Sequence, residues 1–149
     1  MPDRDRESMD AAPHPERQRR FPFLDHIGLV VREHEAGSST CALTVVPFHL
    51  NSSGLVHGAV IFALADTGMG AALLGTLEEG ETLATVDLQI NYLRPVQGGE
   101  LTCTTQLVNR GRTLAHLESS IYLGEALVAR ASGNFAIFRR GARGGAGGA

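Results

Sequence analysis

Between Glu35 and Glu78 the chain carries a single formal charge, Asp66, and that charge falls in the most apolar stretch of the protein. A lone carboxylate inside apolar surroundings is costly unless partners compensate it. Asp66 therefore has either a structural partner or a chemical use. The stretch that holds it, NSSGLVHGAVIFALADTGMG over 51–70, also places Asn51, His57 and Gly58 at the start of an apolar helical run. The first amides of a helix lack intrahelical partners and sit at the positive end of its dipole. Such amides suit a carbonyl oxygen gaining negative charge, and a glycine lets a substrate approach its N–H closely. A carboxylate together with a helix-start oxyanion site points to acyl transfer to water.

Spacing complicates that reading. His57 and Asp66 are nine residues apart, about 900° around a helix and about 13 Å along it, so they lie half a turn from facing each other. One subunit cannot easily bring both to one substrate. A symmetric dimer, with His57 of one chain meeting Asp66 of the other, is the simplest arrangement.

Other elements must hold this stretch in place. The helix is expected over 57–77, closed by Glu79-Gly80. Before it, a short helical turn at Phe21-Pro22-Phe23-Leu24 and strands over 27–35 and 39–46 precede a polar loop at 48–56. After it the period changes to two. In 83–93 the even positions Ala84, Val86, Leu88, Ile90 and Tyr92 read as one buried face, opposite Thr85, Asp87, Gln89 and Asn91. Further strands are expected over 101–108, 113–123 and 127–138. With no second long helix available, an α+β arrangement in which one curved antiparallel sheet wraps a central helix explains why that helix is apolar nearly all round.

Composition narrows the function. The 149 residues suit one domain, expected over 21–139 between disordered tails at 1–20 and 140–149. The chain has no lysine, and eight of its 13 arginines lie in the ends. Residues 21–138 hold five arginines against 11 acidic residues, a net charge of −6, which argues against a nucleic-acid surface. Cys41 and Cys103 read as buried reduced thiols without metal spacing, and Gly68 and Gly70 as sites of close helix packing. The apolar run 55–77 contains Asp66, His57 and four glycines, which fits a buried helix rather than a membrane span. The polar N-terminus has no apolar leader, so a cytoplasmic location is expected.

Asn-x-x-Gly-x-x-His-Gly followed by Leu-x-Asp-x-x-x-Gly, carried by Asn51, Gly54, His57, Gly58, Leu64, Asp66 and Gly70, resembles the hotdog-fold acyl-CoA thioesterases of the phenylacetate-degradation (PaaI-like) type. Thr85-Val86-Asp87, Asn91-Tyr92-Leu93-Arg94-Pro95 and Gly111-Arg112-Thr113-Leu114-Ala115 are similar to that family too, and Ala59 departs from it where a second glycine is frequent. The resemblance implies Asp66 as nucleophile or water-activating base and the Gly58 amide as oxyanion donor. Asn51 would position water or substrate, and His57 would support the carbonyl or leaving-group side. Thr85 would contact the carboxylate or be simply a good strand residue. Arg110 and Arg112, flanking Gly111, would meet CoA phosphates or be solvated turn residues. An acyl-CoA substrate, no cofactor or metal, and a homo-oligomer, a dimer at minimum and by analogy a tetramer, are further expectations. A non-catalytic module that binds acyl-CoA or a protein partner is the alternative, and a hydratase-type hotdog protein a weaker one.

Overall fold

The computed structural model describes residues 21–141, so the tail expected over 1–20 and most of that over 140–149 lie outside the described residues. Among those described, the helices α1 (Pro22–Ile27) and α2 (Gly58–Leu74) accompany six strands. These are β1 (Leu29–Glu35), β2 (Ser38–Thr44), β3 (Glu81–Tyr92), β4 (Glu100–Arg110), β5 (Leu114–Leu123) and β6 (Ala126–Arg139). All pairings are antiparallel, in the order β1-β2-β4-β5-β6-β3, which leaves β1 and β3 as the edges. Extra residues at Arg32, Val86, Val108 and Val128 interrupt the ladders. Each such bulge bends its strand and increases the local twist, and together they curl the sheet around α2. The result is the hotdog arrangement.

Leu64, Met69 and Leu73 of α2 press against Leu43, Leu101, Leu117, Ile121 and Phe135 of the sheet, all fully buried. The helix ends at Leu74, three residues earlier than its apolar run suggests. The β1–β2 turn stops it there: Gly37 N–H donates to Ala72 O, and the Ala36 backbone lies where a Cβ on Gly75 would reach 3.1 Å. Thr76 N–H and Oγ1 then both donate to Leu73 O.

The middle of α2 approaches the sheet closely at Gly68. Ser39 Oγ donates to Gly68 O at 2.6 Å, while Thr105 Oγ1 and Ser119 Oγ bond each other at 2.7 Å beneath it. A Cβ on Gly68 would come 2.6 Å from Thr105 Oγ1. Gly70, by contrast, has open space where a Cβ would go. Cys41 and Cys103 are cross-strand partners, buried and reduced. Burial pushes the Cys41 thiol up to about 12 and the Cys103 thiol up to about 11.

Two stability predictions follow from this packing. Gly68→Ala forces Thr105 off Ser119 and destabilises by about 1–3 kcal/mol, read as a lower urea midpoint. The cysteines give an alkaline sensitivity. The unfolded chain releases these protons near pH 9 while the folded chain holds them to pH 11 or above, so stability is complete below pH 9 and falls as pH rises through that window. Urea midpoints measured at neutral pH and at about pH 10 should show the fall, and a Cys41→Ala/Cys103→Ala double variant should show less of it.

Candidate active site

Asp66 lies on a stripe of α2 that the sheet leaves open. Ala59, Phe62, Asp66, Gly70 and Leu74, spaced three and four apart, are exposed or half-buried, whereas Ile61, Leu64, Ala65, Gly68, Met69 and Ala72 are buried. Thr85 Oγ1 donates to Asp66 Oδ1 at 2.8 Å, and among the described residues no donor meets Oδ2. The carboxylate is thus half-buried, with one partner and one available oxygen.

Strand β3 reaches Asp66 because of its bulge. Thr85 pairs with the buried Phe135, but Asp87 pairs with Asn134, so Val86 is the inserted residue. The uninterrupted alternation expected over 83–93 is therefore corrected. Leu83 and Thr85 face α2 before the bulge, Leu88 and Ile90 face it after, and Ala84 and Val86 are exposed, Val86 by 59%. An apolar Val86 at an even position imitates an unbroken period of two. On the outer face, Asn134 Nδ2 donates to Asp87 Oδ1 at 2.9 Å and Asn134 Oδ1 meets His116 Nδ1 at 2.8 Å, a polar chain across three strands that clasps the residue following the bulge.

The start of α2 is built so that one amide stays unused. His57 is its N-cap: His57 Nδ1 accepts from Ala59 N–H at 2.9 Å and His57 O from Val60 N–H at 2.9 Å. Among the described residues no acceptor meets Gly58 N–H. With Nδ1 accepting that bond, Nε2 is the ring's available donor, and the ring is exposed. Asn51 Oδ1 accepts from Ser53 and Leu55 N–H at 2.9 and 3.2 Å, which shapes the loop, and Asn51 borders the cleft at the helix start. That cleft, about 260 Å³, is bordered by Asn51, Leu55, Gly58, Tyr92 and Arg94.

Within one chain the two half-sites do not meet. Asp66 and Thr85 open onto a different cavity, about 710 Å³, between α1, α2 and β3. Arg110, Gly111 and Arg112 are at neither. Arg110 Nη2 pairs with Glu81 Oε2 at 2.6 Å and bonds Thr76 O beyond the C-terminal end of α2, about 25 Å along the helix from Gly58. The Glu81 carboxyl is held below its ordinary range, first by Glu78 N–H and then by Arg110. Gly111 N–H closes the β4–β5 turn onto Leu114 O, and Arg112 is exposed.

Two residues at the helix start escape notice in the sequence. Tyr92 Oη donates to Gly58 O at 2.8 Å and would crowd a Cβ on Gly58 at 3.0 Å. Its position in Asn91-Tyr92-Leu93-Arg94-Pro95 is the one signal that could have marked it. His49 has no spacing signal, because its partners are backbone atoms. It is 3% exposed; Nδ1 accepts from Val46 N–H at 3.0 Å, Nε2 donates to Ile27 O at 2.7 Å, and its carbonyl accepts from His57 N–H at 2.8 Å. A buried histidine thus ties α1 and the end of β2 to the cap of α2.

Comparison with known proteins agrees with this fold. Residues 53–130 match the family described as the thioesterase superfamily. The Pseudomonas aeruginosa protein PA0474 is 31% identical over 119 residues, 78% of this chain and 89% of that protein. The medium/long-chain acyl-CoA thioesterase YigI of Salmonella typhimurium is 28% identical over 127 residues, 71% of this chain and 82% of YigI. A mutant structure of the phenylacetic acid degradation protein PaaI of Thermus thermophilus superposes with a TM-score of 0.73 at 26% identity, covering 77% of this chain and 97% of that one. The molecule is a hotdog-fold thioester hydrolase of PaaI-like type. The chain belongs to the thioesterase superfamily. Among the described residues no helix is long and apolar enough to cross a membrane.

His49→Ala tests the tie at the helix start. It removes the partner of Val46 N–H, strands a buried carbonyl at Ile27 and opens a void. It should destabilise by about 2–4 kcal/mol in urea unfolding.

Proposed function

We propose that this thioester hydrolase cleaves acyl-CoA to a carboxylic acid and CoA, in active sites each made from two chains. Asp66 carries the reading: it is the sole carboxylate on an otherwise uncharged helix, held by Thr85 through Oδ1 and open at Oδ2. Oδ2 attacks the thioester carbon or takes a proton from the water that does. The carbonyl oxygen gains the charge and rests on Gly58 N–H, the unused amide at the positive end of α2. The C–S bond then breaks, the sulfur leaves as thiolate and takes up a proton, and water supplies the hydroxyl of the acid. Asn51 Nδ2 orients the carbonyl or the water, and His57 Nε2–H faces the leaving-group side. The names of YigI and PaaI, one an acyl-CoA thioesterase and one a phenylacetic acid degradation protein, support an acyl-CoA or aryl-acyl-CoA ester. For the CoA phosphates, Arg94 at the helix-start cleft and Arg112 have no carboxylate in salt-bridge reach among the described residues, whereas Arg110 is held by Glu81.

A second copy joins the halves. Strand β3 offers 12 residues paired on one side only, and the open stripe of α2 lies beside it. An unpaired edge of this length with exposed apolar side chains is a template for another strand. A dimer is the minimum this reading requires, and a tetramer follows the family analogy.

The test is a panel of acyl-CoA esters with a free-thiol readout. Asp66→Asn should lower kcat by orders of magnitude in folded protein, and Thr85→Val by roughly tenfold to a hundredfold, the worth of a hydrogen bond to a charged group. Co-expressing Asp66→Asn with Gly58→Val should restore roughly a quarter of wild-type turnover, because half the dimers then hold one intact site. Near-normal activity in Asp66→Asn removes the mechanism, no recovery on mixing removes the shared site, and tight ester binding without thiol release by wild-type protein favours a binding module.

A further inference from the structure

The cavity at Asp66 has a composition of its own. It is walled by Phe21, Phe23 and Leu24 of the α1 segment on one side and by Ala71, Leu83 and Phe135 on the other. Asp66 and Thr85 open into it. A volume of about 710 Å³ with apolar walls and a few convergent polar groups is the form of a small-molecule site. The α1 wall is unusual in its exposure. Phe21 and Phe23 are 52% and 62% exposed, although they begin an ordered helix. The anchors of α1 all lie at its other end. Ile27 is buried, its carbonyl accepts from His49 Nε2 at 2.7 Å, Gly28 N–H caps onto Leu24 O, and His26 packs edge-on against Phe48 at 5.3 Å. The segment is therefore held from behind, with two exposed phenylalanines at the cavity. The opposite wall is low: Ala71 is half-buried, and Gly70 beside it has open space where a Cβ would go.

We infer that the acyl chain of the substrate lies between α1 and α2, with Phe21 and Phe23 as its outer wall and Ala71 setting how much chain fits, so that the enzyme prefers longer apolar acyl groups over short ones. The inference rests on the proposed hydrolysis of acyl-CoA. An occupant of this kind covers the two exposed rings and leaves its carbonyl carbon at the mouth, beside Asp66.

The experiment compares butyryl-, octanoyl- and dodecanoyl-CoA in the full chain. Each methylene that enters should raise kcat/KM about fourfold until the cavity is full, from the transfer free energy of a buried CH₂. Phe23→Ser and Ala71→Phe, altering opposite walls, should each lower the octanoyl-to-butyryl ratio of kcat/KM at least about tenfold, the equivalent of losing two or so methylene contacts. Phe23 is exposed, so its replacement spares the core. Calorimetry with octanoic acid reads the cavity without catalysis, and both variants should weaken its binding by a similar factor. Equal kcat/KM for all three esters, or a ratio that moves less than about twofold in both variants, overturns the inference while thioester hydrolysis stands. Octanoic acid binding that responds to both variants in protein releasing no thiol from any ester upholds the cavity and overturns the acyl-CoA reading instead.

Discussion

The hydrogen bond from Thr85 to Asp66 joins the edge strand to the central helix, and it exists because β3 contains one residue too many for a regular ladder. With an unbroken alternation Thr85 could not share a face with Leu88 and Ile90, and the carboxylate would meet an aliphatic side chain or solvent. Inserting Val86 lets Leu83 and Thr85 face inward before the bulge and Leu88 and Ile90 after it. The inserted valine has no ladder partner and is 59% exposed, which only an edge or a partner-covered surface tolerates. Asp87, directly after it, is held by Asn134 on the far face. The bulge is thus fixed on both faces of the sheet, by Asp66 within and by Asn134 without.

The helix start follows a related rule: nearly every donor is satisfied so that one is not. A side-chain cap ordinarily serves the N2 or N3 amide of the helix, and His57 serves N2 through Nδ1 while its carbonyl serves N3. Gly58 N–H, at N1, is left over. The carbonyl of the same peptide, His57 O, is occupied by Val60 N–H, and Tyr92 Oη holds the next carbonyl, Gly58 O, so the peptide cannot readily swing away. Behind the cap, His57 N–H is held by His49 O, and the His49 ring is held by Val46 and Ile27. The amide is therefore positioned through backbone and imidazole bonds reaching back to α1, the same short helix whose other end walls the cavity at Asp66.

This layering explains what could be read from the sequence. The empty charge span around Asp66, the apolar run of α2 and the period-two strands are local patterns, and the six strands and the long helix stand where those patterns put them, within a few residues at each end. The end of α2 was less legible, since the turn at Ala36-Gly37 that stops it is distant in sequence. The bulge was hidden because Val86 is apolar, although Leu83 at an odd position was a sign that the phase changes. His49 was invisible to spacing because its partners are backbone atoms. Asn51 holds its own loop through Oδ1, at Ser53 and Leu55 N–H, and borders the cleft at the helix start. Arg110 and Arg112 looked like a pair, but the proximity of Glu81 to Arg110 is a product of the fold.

The remaining constraint is the mismatch between a helix that is apolar nearly all round and a sheet that covers only part of it. A surface helix facing water would carry polar residues on its outer stripe, yet the stripe here is Ala59, Phe62, Asp66, Gly70 and Leu74. Its small residues permit close approach by a second element, and Gly70 retains open space for one. Under the proposed pairing the same stripe would be covered by another copy, and Asp66 would pass from half-buried to enclosed. Enclosure raises the cost of the carboxylate and strengthens every interaction it makes. A single chain would thus keep its one internal charge tolerable by leaving it open to solvent, and the closing of the stripe would bring the Gly58 amide of the second copy and the loss of water to the same place at once.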